Sequence, residues 1–275
     1  MLGACGHPSV PDHVSLWEMI LPIRQRLDLW ANLRPVRLLP GVPTPLENRS
    51  ATDIDMLFVR ENSEGEYAGV GGRVHQGHPH EVGIETSVFT RAGVDRVVRH
   101  AFERANARRK LLTSATKSNA SRYGYVLWDE VVEAVGVAYP DVTVERVLVD
   151  ALAARMVRSP ESLDVVVASN LFGDILTDLA AAIQGGMGTA ASANIAPGTD
   201  TPGLFEPVHG SAPDIAGKNV ANPLATILSL SMSFRYSLGE LEAAERLEAA
   251  VGRVLENGIR TPDIAVPGSK VVGTK

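Results

Sequence analysis

The sequence predicts an α/β protein whose two lobes share one sheet, and three observations carry that expectation. From Arg91 to Ile183, short apolar runs alternate with amphipathic helical patterns, as strand–helix units on a sheet require. Polar residues able to do chemistry fall at the carboxyl ends of those runs, where open α/β sheets hold ligands. At 275 residues the chain can also bury a large core divided between two lobes.

Met1 to Pro11 reads as a loop punctuated by Gly and Pro. A helix follows over about Ser15 to Trp30, with Leu16, Met19, Ile20, Ile23 and Leu27 on its apolar side. Pro22 has no N–H to donate and should kink or divide it. Arg24 and Arg26 stand near its far end, and Arg34 follows in Ala31–Leu38. Each arginine alone is an ordinary surface residue, but two planar forks beside an apolar run could clamp a carboxylate. Gly41 to Asn48 is a Pro-rich loop, and Ile54 to Glu61 is a buried strand that delivers Arg60 at its end. After the polar turn Asn62 to Tyr67, Ala68 to Thr90 reads as a hairpin-like arm with polar tips. Its histidines, His75, His78 and His80, fit no zinc-ligand spacing and read as solvated loop residues.

The alternating part begins with a basic amphipathic helix, Arg91 to Arg108, burying Val94, Val97, Val98 and Phe102. Lys110 to Thr116 is a strand that leaves Lys117, Ser118 and Asn119 at its carboxyl end. Trp128 to Tyr139 is a helix, Val142 to Val149 a strand, and Asp150 stands at that strand's end. The strand Asp164 to Ser169 then leads into the helix where the chemistry is expected, Asn170 to Ala182. There Ile175, Leu176, Leu179 and Ile183 share a face, while Asp174 and Asp178 lie one turn apart on the neighbouring face. Like charges so placed repel by roughly 0.2–0.5 kcal/mol, a cost that a divalent cation held between them would reverse. On spacing alone a solvated acidic face is the better explanation, because acid pairs at this spacing are common. The company of Arg60, Lys117, Asp150 and Asp174, all at strand ends or helix starts, turns the reading towards a site.

Gly185 to Gly203 reads as flexible and polar. The loop Leu204 to Asn219 has small residues whose backbone N–H groups could approach a pyrophosphate, although it lacks the G-x-G-x-x-G pattern. Asn222 caps and Pro223 opens an apolar helix, Leu224 to Ser237. Gly239 to Leu255 is a last amphipathic helix, and Thr261 to Lys275 reads as loop. A net charge of −6 argues against nucleic acid as the main partner. The single cysteine, Cys5, excludes an internal disulfide framework and fits a reducing compartment. No apolar run approaches a membrane span and no charged leader precedes an apolar block, so the expected location is cytoplasmic.

Six stretches together resemble a known family. They are Val10–Trp17, Asn32–Arg37, Val59–Tyr67, Thr116–Asn119, Ser169–Leu179 and Glu206–Gly217, in one order across nearly the whole chain. They are similar to the β-decarboxylating dehydrogenases, the family of isocitrate and 3-isopropylmalate dehydrogenases, and nearest its tartrate and D-malate branch. The resemblance implies an isopropylmalate dehydrogenase-like two-lobed α/β fold around a shared mixed sheet, with a β arm that clasps a homodimer. Residues 1–28 and 190–275 would form the large cofactor-binding lobe, and 29–189 the small lobe with the interface, the arm and the metal-site helix. The family's opening strand and Gly-Asp-Gly-Ile loop have no counterpart here, so the large lobe is expected to be incomplete at its N-terminus.

By the same resemblance Arg24, Arg34 and Arg60 would bind substrate carboxylates, Lys117 would act as base and Tyr67 as acid. Asp150, Asp174 and Asp178 would hold Mg²⁺ or Mn²⁺, with Lys117 and Asp150 serving the neighbouring subunit. Asn119, Glu206, His209, Gly210, Ser211, Ala212, Asp214 and Asn222 would line NAD. The implied reaction is oxidation of a small 2-hydroxy dicarboxylate such as tartrate or D-malate, with or without decarboxylation. The alternatives are a 3-isopropylmalate dehydrogenase, or a non-catalytic dimeric homologue that binds a dicarboxylate or a partner.

Overall fold

The first helix divides where Pro22 removes a backbone donor. In the computed structural model, which describes all 275 residues, α1 (Asp12–Ser15) runs into a π-helical turn (Leu16–Ile20) and then α2 (Leu21–Arg26). The helix stops short of the expected Trp30. Asp28 turns left-handed at φ 44°, and the Leu29 N–H returns to the Arg24 carbonyl at 2.8 Å. Leu29 and Trp30 are thereby buried, and burial of two large apolar side chains outweighs another helical turn.

The strands and helices that follow are β1 (Ala31–Arg37), β2 (Asp55–Glu61), β3 (Gly65–Val74), β4 (Val82–Val88) and α3 (Arg91–Asn106). Then come β5 (Leu111–Thr116), α4 (Gly124–Gly136), β6 (Thr143–Leu148), α5 (Val149–Arg158), β7 (Val165–Ala168) and α6 (Asn170–Ile183). The chain closes with β8 (Ala191–Ile195), β9 (Leu204–Pro207), α7 (Leu224–Ser233), α8 (Leu241–Glu256) and the short strands β10 (Ile259–Arg260) and β11 (Lys270–Val271). Seven strands form one mixed sheet in the order β6-β5-β7-β2-β1-β8-β9. Strands β6, β5, β7 and β2 are mutually parallel, while β1, β8 and β9 add on antiparallel. Val165, Val166 and Val167 of β7 are wholly buried, as a strand covered on both faces demands. Helices α3 and α4 pack over Leu57, Val59, Leu112 and Val165, and α5 and α6 over Phe58, Ala115, Val166 and Ala168.

Two expectations fail in the stretch that joins the sheet's halves. Residues 31–37, read only as an apolar run, are the interior strand β1, between β2 and β8. Pro35 is tolerated there because β8 pairs only with Ala31 to Leu33, leaving the proline's side of the strand open. Residues 191–195, read as flexible and polar, form the fully buried strand β8. The Ser192 hydroxyl accepts from Asn32 and the Asn194 amide is satisfied at both ends, so their polarity does not exclude them from the interior.

Because the four parallel strands share a direction, their carboxyl ends set Arg60, Lys117, Asp150 and the start of α6 along one edge of the sheet. The arm is the two-stranded ladder β3–β4, with Val70, Val74, Val82 and Ile84 exposed along it. The tail is less of a loop than expected, since β11 pairs parallel with β10. No helix is long and apolar enough to cross a membrane.

Candidate active site

Three arginines that start far apart in sequence meet in one cleft of about 200 Å³. Arg24 comes from the last turn of α2, Arg34 from β1 and Arg60 from the end of β2, and all three are buried. Tyr67 from β3 and Asp174 from α6 face them. Helix α6 begins there because Ser169 caps it, accepting the Phe172 N–H at 3.4 Å.

Asp174 is the hub. Its Oδ1 takes Arg60 Nη1 at 2.6 Å and Arg34 Nη2 at 3.4 Å, while Oδ2 receives only the long 3.4 Å bond from the Tyr67 hydroxyl. Arg60 is further held by Asn170 Oδ1, at 3.2 Å from Nε and 2.7 Å from Nη2, and Arg34 Nη1 donates to Thr177 at 2.5 Å. Burial raises the carboxyl pKa of Asp174, but Arg60, Arg34 and Arg24 outweigh burial and hold it low. Asp178, one turn on and half exposed, is pushed up by burial despite Arg34. Burial, reinforced by repulsion from Arg34, drives Arg60 down to about 9. Burial also lowers Arg34 and raises the Tyr67 phenol, the latter helped by the Asp174 charge. Cations crowded out of water in this way favour a bound anion, and the buried Arg24 Nε has no protein acceptor.

Lys117 and Asp150 do not reach this cleft. They pair with each other at 2.8 Å along the same sheet edge, and that bond lowers the Asp150 carboxyl. Asp150 therefore does not join Asp174 and Asp178 within one chain, where no three His, Cys, Asp or Glu side chains gather as a metal site. Asp174 Oδ2 and the Asp178 carboxylate still offer hard oxygens without thiolate or imidazole. Such a set fits Mg²⁺ or Mn²⁺, which bind through one or two carboxylates plus substrate and water. Asn119 is exposed in the turn after β5, beside Lys117.

A larger cleft of about 880 Å³ adjoins the first, with His209 and Gly210 lining both. Ser211, Ala212 and Asn222 line it as expected. The N–H groups of His209, Gly210, Ser211 and Ala212 donate to no backbone or side-chain acceptor, and Ala212 takes a left-handed φ of 46°. Unpaired N–H groups in a loop that lines a large cleft suit the phosphates of a dinucleotide. Two residues expected beside the cofactor stand elsewhere. Asp214 is exposed in the turn Pro213–Ile215 and is not among the residues lining the cleft. Glu206 lies in the arginine cleft, accepting from Arg24 Nη2 at 2.9 Å, because a buried carboxylate needs a buried cation.

A sequence model of the isocitrate/isopropylmalate dehydrogenase family matches residues 1–275. The chain belongs to that family. It is 54% identical over 263 residues to a probable tartrate dehydrogenase/decarboxylase of Agrobacterium vitis, covering 95% of this chain and 73% of that protein. It is 53% identical over 269 residues to a decarboxylating D-malate dehydrogenase of Escherichia coli (strain K12), covering 95% and 74%. Among solved structures, isocitrate dehydrogenase from Methylococcus capsulatus superposes with a TM-score of 0.87 at 38% identity, over 99% of this chain and 77% of that one. The protein is accordingly a β-decarboxylating dehydrogenase, acting on a hydroxy acid with a nicotinamide cofactor and a divalent metal as its family does.

For this dehydrogenase, sequence reasoning missed Asn32, Asn62 and Asn194, which are buried against one another behind the arginines. Asn32 stood in an apolar run, but Asn62 opened a polar turn and Asn194 lay in a stretch read as flexible and polar, so nothing local marked either of the latter two as buried.

Proposed function

We propose that the protein oxidises tartrate or D-malate at C2 with NAD as acceptor and releases CO₂, in a cytoplasmic homodimer whose sites draw on both chains. Residues 1–28 with 190–275 form the cofactor lobe in this reading, and 29–189 the lobe that dimerises. The observation that carries it is the convergence of buried Arg24, Arg34 and Arg60 beside Asp174, adjoining a loop of free N–H groups.

The arginines hold the carboxylates through charge-assisted forks, with Arg24 Nε one open donor. Lys117, supplied by the neighbouring chain, takes the hydroxyl proton as hydride passes from C2 to the nicotinamide, and Asp150, 2.8 Å from its Nζ, would stabilise the ammonium that forms. Tyr67 keeps its proton because burial raises its pKa, and it returns that proton to carbon after CO₂ departs. Asp174 and Asp178, with the neighbour's Asp150, would hold Mg²⁺ or Mn²⁺, which when bound supplies Lewis acidity at the hydroxyl and carboxylate oxygens. Asp214 does not line the cofactor cleft but sits between Ala212 and Ile215, which do, and from that turn its carboxylate would disfavour a 2′-phosphate and hence NADP by roughly 2–4 kcal/mol.

Leu16, Ile20 and Leu21 line the arginine cleft as well, so 3-isopropylmalate, with an apolar branch to pack there, is the second acid to assay. The test is turnover of tartrate, D-malate and 3-isopropylmalate with Mn²⁺, CO₂ trapping, and equilibrium binding of NAD against NADP. Tartrate or D-malate should be oxidised and NAD should bind at least thirty-fold tighter. Equal NADP affinity would remove Asp214 from the cofactor, and turnover of 3-isopropylmalate alone would replace the substrate assignment.

A further inference from the structure

A chain of buried hydrogen bonds runs from Arg34 to Arg24, and its amide members, Asn32, Asn62 and Asn194, line neither cleft. Arg34 Nε donates to Asn32 Oδ1 at 2.8 Å, and Asn32 Nδ2 donates to Asn194 Oδ1 at 2.9 Å. Asn194 Nδ2 donates to Glu206 Oε1 at 3.0 Å, and Arg24 Nη2 donates to that same oxygen at 2.9 Å. Asn62 braces the middle, donating to Asn194 Oδ1 at 3.0 Å and to the Leu29 carbonyl at 2.8 Å. Asn32 and Asn194 are 0% exposed, so no water competes for these bonds.

The orientation of Asn194 follows from its neighbours. Its oxygen faces two amide donors, and its nitrogen faces the Glu206 carboxylate and the Leu204 carbonyl at 3.0 Å. Flipping the amide would set donor against donor and acceptor against acceptor at every contact. One locked amide in β8 therefore connects an arginine on α2 to an arginine on β1, segments that share no hydrogen-bonded ladder.

We infer that Asn194, acting through Asn32 and Glu206, is a positioning residue that fixes the spacing of Arg24 and Arg34 before substrate arrives. The inference rests on the dicarboxylate reading of the cleft. An arginine left free pays rotamer entropy each time it closes on a ligand, and a pre-set pair does not. Arg24 and Arg34 would grip the substrate's carboxylates already in the ground state, so loss of the pre-set spacing raises KM more than it lowers kcat.

Asn194→Asp keeps the shape but loses both donors, and Asn194→Leu removes every bond. Either should raise KM for the acid by at least tenfold, with kcat changed less than about threefold and KM for the dinucleotide steady. Asn32→Asp retains the acceptor for Arg34 but cuts the link to Asn194. If the link is what matters, it should match the Asn194 variants, and the double variant should be no worse than either single one. The Arg34 Nε–H, read by NMR hydrogen exchange, should be protected in the parent protein and lose at least tenfold in protection in the variants. A lower melting temperature with KM and Arg34 exchange unchanged would overturn the inference, leaving the relay as core hydrogen bonding. Should Asn194→Leu fail to fold, Asn194→Asp decides. Should the parent protein oxidise none of the acids, the dicarboxylate reading fails, and the Arg34 exchange rate alone decides whether Asn194 holds the guanidinium.

Discussion

His100 shows how far a single side chain's environment can depart from its appearance in sequence. On α3 it is nine-tenths hidden and stands edge-on to Trp30, with ring centroids 5.9 Å apart. Its Nδ1 is 3.6 Å from Glu103, too far for a hydrogen bond, and burial followed by the Arg104 charge pushes its pKa down to about 4. The unfolded chain protonates this histidine near 6.5 while the folded chain resists until about 4. Stability from this residue is thus intact at neutral pH and is lost as pH falls from 6.5 towards 4. Between pH 7 and 5 the loss should be about 2 kcal/mol. Urea unfolding at both values should show it in the parent protein and a smaller loss in His100→Gln; identical losses would mean the histidine is hydrated. The arginines teach a parallel lesson. Arg24, Arg34 and Arg60 were legible as candidates because they sit beside apolar runs, but their meeting in one cleft was not, since it depends on three elements docking.

At the scale of elements, α6 is placed by what its first turn lacks. A Cβ on Gly173 would lie 2.5 Å from Arg60 Cγ and 2.7 Å from Arg60 Cβ, atoms too near the backbone to swing aside. Gly173 therefore lets the helix approach β2 closely enough for Arg60 to reach both Asn170 and Asp174. Gly173→Ala should cost about 1–3 kcal/mol in stability and raise KM for the acid by tenfold or more. Gly252→Ala on α8 is the control, because a Cβ there meets nothing within 4 Å; it should stabilise by about 0.5–1 kcal/mol. Denaturation and steady-state kinetics on both variants check this, and equal behaviour at the two glycines would refute the close-packing account. The helix itself was legible in the sequence from its cap and apolar stripe. The closeness of its approach was not.

For the whole molecule, the separation of Lys117 and Asp150 from the arginine cleft is the informative fact. Within one chain they pair with each other, while the arm exposes Val70, Val74, Val82 and Ile84. The proposed homodimer with exchanged residues would account for both observations. Lys117→Ala and Asp174→Asn, each inactive, should regain up to about a quarter of parental turnover when unfolded and refolded together, since a mixed dimer holds one intact site. Mixed dimers that form, as seen by mass spectrometry, yet stay inactive would show that each site is built from one chain.

The sequence alone determined the α/β class, the sheet-edge placement of Arg60, Lys117, Asp150 and Asp174, the arm, and the family. These rest on periodicity, on strand-end position and on contiguous motifs, all of which are local. Tertiary structure decided that 31–37 and 191–195 are interior strands, that Glu206 belongs with Arg24, and that three asparagines join the two arginines. A polar side chain in a short apolar run is worth burying only if its partners arrive from elsewhere in the chain. Asn194 finds those partners in Asn32, Asn62, Leu204 and Glu206, and none of them lies within nine residues of it in sequence.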